Sequence, residues 1–173
     1  MYKFFAVFIF LSFALATAAQ KPDVYLKLTD AGGQLIKGDV VTKGFEKWMA
    51  ATTITSGGKN NTQLNFTMAI SGASADLKKA LANGELLLTG QVSVLAPNPS
   101  GGSPVLSFTI KMERIAVSTC YEAMGCNNIM NTTVTLQATR IGYTYYDKTK
   151  TGTQAVSRKF GWDAESNIEW TNF

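Results

Sequence analysis

The stretch LNFTMAISGASADLKKALANGELLLTGQVSVL, residues 64–95, decides the fold. Leu64, Phe66, Met68 and Ile70 are apolar at every second position, the period of a half-buried strand. The period then changes. Leu77, Ala80 and Leu81 stand at i, i+3 and i+4 and so share one face of a helix. Ser71 or Ser74 can cap its start, because a serine oxygen accepts from the unpaired amides of a first turn. Asn83-Gly84 can end it, since glycine enters the left-handed C′ conformation at no steric cost. Leu86, Leu88, Val92 and Val94 return to period two. A helix this short is marginal alone in water, so its apolar face must pack on a sheet made by the rest of the chain.

Strand patterns fill both sides of this unit. Val24, Leu26 and Leu28 alternate with polar neighbours up to a turn at Asp30-Ala31-Gly32-Gly33. Residues 44–54 carry Phe45, Trp48, Met49 and Ile54 in neither period, which reads as a strand with an irregular start. Trp48 reads as a core or interface aromatic. Ser56 to Asn61 is a polar loop, and Pro97 to Pro104 is a loop rich in Pro, Gly and Ser. Phe108, Ile110 and Met112 are followed by Ile115 and Val117, one residue out of phase. Val134, Leu136 and Ala138 are followed by Ile141, Tyr143 and Tyr145 with the same slip. A β-bulge or bend near Glu113–Arg114 and near Thr139–Arg140 would restore the phase; chance patterning is the alternative. After a turn over Tyr146–Gly152, Val156, Arg158, Phe160 and Trp162 alternate in a closing strand. Gly161 there allows another backbone to come close. The whole reads as mainly β: an antiparallel barrel or sandwich with one short flanking helix.

The chain has 173 residues, a length for one domain, and 46% are hydrophobic, enough to bury a core. Its first residues read as an address. Lys3 is the charged n-region, Phe4 to Leu15 the apolar h-region, and Ala16-Thr17-Ala18 or Thr17-Ala18-Ala19 the small residues that a signal peptidase reads. This predicts a signal peptide over residues 1–19, a mature end at Ala19 or Gln20, and a single domain over 20–173. Phe4 to Ala19 is short of the roughly 20 residues of a membrane helix, and no later stretch is long and apolar enough to span. The destination is secreted or periplasmic.

The formal charge of +4 comes from scattered residues, so a nucleic-acid surface is not indicated. There is no histidine. That removes Ser-His-Asp and Cys-His chemistry and histidine metal sites. The carboxylates stand singly. The chain therefore reads as not an enzyme, with no cofactor or metal. Cys120 and Cys126 are its only cysteines. In an oxidising compartment they have one intramolecular partner each, across Tyr121–Gly125, where a reversing loop between the two long strands is expected. A Cys120–Cys126 disulfide follows, with two separate buried thiols as the alternative. Asn60, Asn65 and Asn131 open N-glycosylation patterns; Asn65 and Asn131 fall on predicted strands, where the matches read as chance.

Taken in order, these segments resemble the Hcp family, the haemolysin-coregulated proteins of the inner tube of bacterial type VI secretion systems. Asp23-Val24-Tyr25-Leu26-Lys27-Leu28 is similar to the family's first strand, and residues 44–55 to its tryptophan-containing strand. Leu64-Asn65-Phe66-Thr67 with the helix resembles its central strand and sole helix. Phe108 to Val117 and Asn131 to Tyr145 resemble its two long strands, and Phe160-Gly161-Trp162 its aromatic-Gly-Trp near the C-terminus. The resemblance implies a two-sheet β-barrel with one flanking helix, a homohexameric ring, and stacked rings that carry secreted effector or cargo proteins. It makes Ser56, Gly57, Gly58, Lys59, Asn60 and Asn61 the candidate ring-stacking loop, by position in the family. The signal peptide, the cysteine pair and the shortness of that loop depart from the family pattern. A secreted monomeric β-barrel binding module is the alternative function.

Overall fold

The computed structural model describes residues 23–58, 61–98, 101–125, 128–148 and 154–173. Eight strands and one helix follow in order: β1 (Asp23–Thr29), β2 (Met49–Gly57), β3 (Gln63–Ala69), α1 (Gly72–Asn83), β4 (Leu86–Ala96), β5 (Val105–Met124), β6 (Met130–Lys148), β7 (Gln154–Asp163) and β8 (Ile168–Glu169). All strand neighbours are antiparallel, in the order β3-β2-β1-β4-β5-β6-β7-β8. A further pairing of β3 with β6 closes the first six into a barrel. The mainly β barrel with one helix is thus the observed fold. Its two layers are parts of one continuous curled sheet.

Closure works because β6 changes partner along its length. Residues 131–137 pair with β3, and residues 140–148 pair with β7. The change falls where the apolar phase slips. Arg114 has φ 52°, a left-handed value that a non-glycine residue adopts rarely. Its carbonyl accepts from the Thr139 hydroxyl at 3.1 Å. Ladder pairs Glu113↔Arg140 and Ile115↔Ala138 keep one register on either side, so the side chains change face without a shift of pairing. The separate register shift in this hairpin lies further on, between Val117 and Thr119.

The same change of face occurs in β4, where the alternation misleads. Leu87 is buried, while Leu86 and Leu88 are exposed. Gly90 then points inward, packed among the side chains of Ile115, Leu28 and Met112. The line Leu88–Thr89, Glu113–Arg114, Thr139–Arg140 is therefore a bend across three adjacent strands. Curvature of this kind turns a sheet into a barrel.

The core holds Leu26, Leu28, Leu64, Phe66, Met68, Ile110, Met112, Ile115, Leu136 and Ile141, all nearly inaccessible. Ile70, read as the last inward residue of its strand, lies beyond β3 and is half exposed. The helix buries Ala73, Ser74, Leu77 and Ala80, and Leu81 is only half-buried at the margin of the core. Ser71 caps it. The Ser71 amide donates to Ser74 Oγ at 3.1 Å, and the Ser74 hydroxyl bonds Thr132 of β6 at 2.7 Å in the interior. Gly84, at φ 63°, ends it in the left-handed conformation as expected. Lys78 pairs with Glu122, which fastens α1 over the far half of β5.

Candidate assembly surface

Past Ile110 and Ile141, the inner face of β5, β6 and β7 runs out from the barrel core toward the β7 edge. Aromatic residues take over there. Phe108 and Tyr143 stack with ring centres 6.0 Å apart, Phe108 and Tyr145 lie 4.8 Å apart, and Tyr143 and Phe160 stack at 6.3 Å. The row begins buried and ends in solvent: Tyr143 is 6% exposed, Phe160 42% and Tyr145 49%. Val156 is exposed on the same strand as Phe160. Among the described residues, β8 pairs with β7 only at Trp162 and Asp163, so most of β7 presents an open edge.

The β2–β3 hairpin covers the buried end of this row. The structure corrects its limits, since Ser56 and Gly57 belong to β2 and pair with Leu64 and Gln63. Gly58, at φ 79°, begins the turn. Lys59 and Asn60 lie outside the described residues, and with them the glycosylation pattern at Asn60. Asn61 closes the turn, and its carbonyl accepts the Tyr143 hydroxyl at 2.6 Å. The Ala138 amide donates to the Thr62 carbonyl at 2.9 Å, and the Gln137 amide donates to the Thr62 hydroxyl. Burial pushes the Tyr143 phenol above its ordinary pKa, against a hydrogen bond with Ser56 that lowers it. The loop is therefore tied to β6 where β6 leaves β3. Asn65 and Asn131 sit in β3 and β6, as expected, and the Asn65 amide oxygen accepts from Thr135 at 2.7 Å.

A second arrangement holds the C-terminal segment. Glu113, Arg140 and Asp163 lie side by side on β5, β6 and β7. Arg140 donates to Asp163 at 2.8 Å and to Glu113 at 3.3 Å. Asp163 also accepts the amides of Glu165 and Ser166 and so shapes the turn into β8. The Arg140 guanidinium, helped by those amides, holds the Asp163 carboxyl below the usual carboxylate range. Arg114 adds an exposed pair to Glu165. Sequence reasoning missed this cluster, because its members lie far apart in the chain and only the register aligns them. Arg158 is exposed on β7.

The chain after Cys120 differs from the expectation. Tyr121–Met124 do not form a reversing loop but continue β5, paired through Met124↔Met130. The reversal follows, with the Gly125 amide donating to the Ile129 carbonyl. Cys120 is half-buried opposite Val134, and burial raises its thiol pKa. Cys126 lies outside the described residues, as does the expected signal peptide. No helix among the described residues is long and apolar enough to cross a membrane, and they contain no cluster of three metal-binding side chains.

Comparison with known proteins places this geometry. The family described as type VI secretion system effector, Hcp, matches residues 25–145. The chain belongs to that family. Among solved structures it is similar to Hcp1 from Salmonella typhimurium, with a TM-score of 0.69 and 19% identity over 87% of this chain and 100% of that one. A mutant Hcp1 from E. coli EAEC 042 pathovar gives 0.63 and 25%, over 78% and 97%. The secreted protein Hcp3 from Pseudomonas aeruginosa gives 0.62 and 17%, over 79% and 97%. The search of curated proteins returns no match.

Proposed function

We propose that this chain is an exported structural subunit of Hcp type, which assembles head to tail into homohexameric rings and, by stacking rings, into a tube that carries effector or cargo proteins. Its route is a cleaved signal peptide over residues 1–19, and its destination is secreted or periplasmic. The observation that carries the reading is the half-open aromatic row Phe108–Tyr143–Tyr145–Phe160 beside the unpaired edge of β7, in a chain of this family. A ring needs two different surfaces on each subunit that fit one another. The β7 edge is one such surface, since it offers backbone hydrogen bonds and apolar side chains together. The loop Ser56–Asn61 is the proposed contact between rings. No catalytic step is assigned.

Size-exclusion chromatography with light scattering tests the ring. A species near six subunits supports it, and a monomer would replace it with the reading of a secreted binding module. Deleting Lys59 and Asn60 should abolish stacking in electron micrographs while single rings persist. Unchanged stacks would remove that role from the loop.

A further inference from the structure

On the outer face of the sheet, an open cleft of about 640 Å³ runs between β1 and the C-terminal segment. Its lining includes Lys27, Gln91, Lys111 and Lys159, with Trp170 and Phe173 as the far wall. The register explains why these side chains meet. Lys27 is opposite Gln91, Gln91 is opposite Lys111, and Lys111 is opposite Gly142. All three therefore project from one face, away from the core residues that alternate with them. Lys159 stands two strands beyond Lys111, and its ammonium donates to the Phe173 carbonyl at 3.0 Å. Lys27 lies 5.9 Å from the ring centre of Trp48. Neither Lys27 nor Lys111 has a carboxylate partner among the described residues. Glu113, the one acidic side chain in the lining, is turned to Arg140.

We infer that this cleft binds an acidic polypeptide segment laid across the strands. Three lysines against one carboxylate side chain leave the cleft cationic, although the chain as a whole is only mildly so. From β1 to β7 it spans four strand spacings, about 19 Å, the length of about six extended residues. Lysines at steps of about 10 Å suit carboxylates distributed along such a chain. The hydroxyls and amides of Thr89, Gln91, Thr171 and Asn172 offer donors and acceptors to peptide groups. Glu113 opposes the denser charge of a polyphosphate. The cleft is complete within one subunit, so this site does not depend on ring formation.

Fluorescence anisotropy of a labelled oligoglutamate titrated with the full chain tests the site. Saturable binding that weakens with rising ionic strength is expected, because rim charges are screened. Lys27→Gln with Lys111→Gln should weaken it about tenfold, while Lys78→Gln with Lys79→Gln on α1 should leave it unchanged. Both lysines of the first pair are exposed, so the variant should fold, which circular dichroism checks. Absence of saturable binding, or equal loss in the α1 variant, overturns the inference. Tighter binding of an oligothymidylate of equal charge also overturns it and assigns the cleft to phosphates.

Discussion

Gly142 of β6 and Gly161 of β7 face each other across the ladder, and the ring of Phe173 lies on both. The two missing side chains leave a floor of bare backbone. Trp170 packs against the same ring at 5.0 Å, and its amide donates to the Gly161 carbonyl at 3.0 Å. A Cβ at Gly142 would collide with the Phe173 ring; at Gly161 it would collide with the Trp170 carbonyl as well. A ring can turn aside more easily than backbone. Gly161→Ala should therefore destabilise more than Gly142→Ala, within the range of about 1–3 kcal/mol for overpacking. In a Phe173→Ala background the Gly142→Ala penalty should largely vanish, as expected of residues in contact. Thermal melts of the four variants check this, and equal costs in both backgrounds would refute the contact.

The helix offers a second test. Leu77 is fully buried, so Leu77→Ala should cost about 2–5 kcal/mol. Leu81 is half-buried, and Leu81→Ala should cost clearly less. Lys79→Ala, on the exposed face, should stay within about 0.5 kcal/mol. Denaturant titration separates the three, and a Leu81 effect equal to that of Leu77 would mean that the helix is rotated from this description.

Asp163 makes the C-terminal turn sensitive to acid. Its carboxyl is held below the ordinary range by Arg140 first and by the Ser166 amide next. The stabilisation is full above the unfolded value near 4 and is lost as pH falls through the lower folded value. Tryptophan fluorescence should report release of the Trp170–Phe173 segment in that acid window. Asp163→Asn keeps an oxygen for the turn amides but loses the charge, so its profile should be flatter there. An unchanged profile would place the acid transition elsewhere.

The proposed Cys120–Cys126 disulfide now carries a structural consequence. A disulfide needs Cα atoms about 4.4–6.8 Å apart. Four extended residues from Cys120 to Met124 already cover about 13 Å. An oxidised chain must therefore open the Tyr121–Met124 pairs with β6. Hydrogen exchange over residues 121–133 should slow on reduction of exported protein. Thiol labelling of unfolded, unreduced chain decides the bond itself, and two reactive thiols per chain would end the proposal.

Local patterning carried the elements well. The Leu64–Met68 alternation, the Leu77–Ala80 spacing and Asn83-Gly84 specify strand, helix and stop, because each reflects interactions within a few residues. The slips at Glu113–Arg114 and Thr139–Arg140 were legible for the same reason. The third part of that bend was not. Leu86, Leu87 and Leu88 are chemically alike, so alternation cannot say which one faces inward; pairing of Leu87 with Ile115 decides it. Ile70 misled because its strand ends before it.

Sequence by itself thus determined a mainly β chain with one capped helix, the place of its bend, and a glycine at 161 kept small for an approaching backbone. Tertiary structure alone decided which backbone approaches, that β6 leaves β3 for β7, and that Glu113, Arg140 and Asp163 stand in one row. Those relations depend on the register between strands distant in the chain. Register is set by closure of the whole barrel, in which moving any one strand by a residue would turn its core side chains into water.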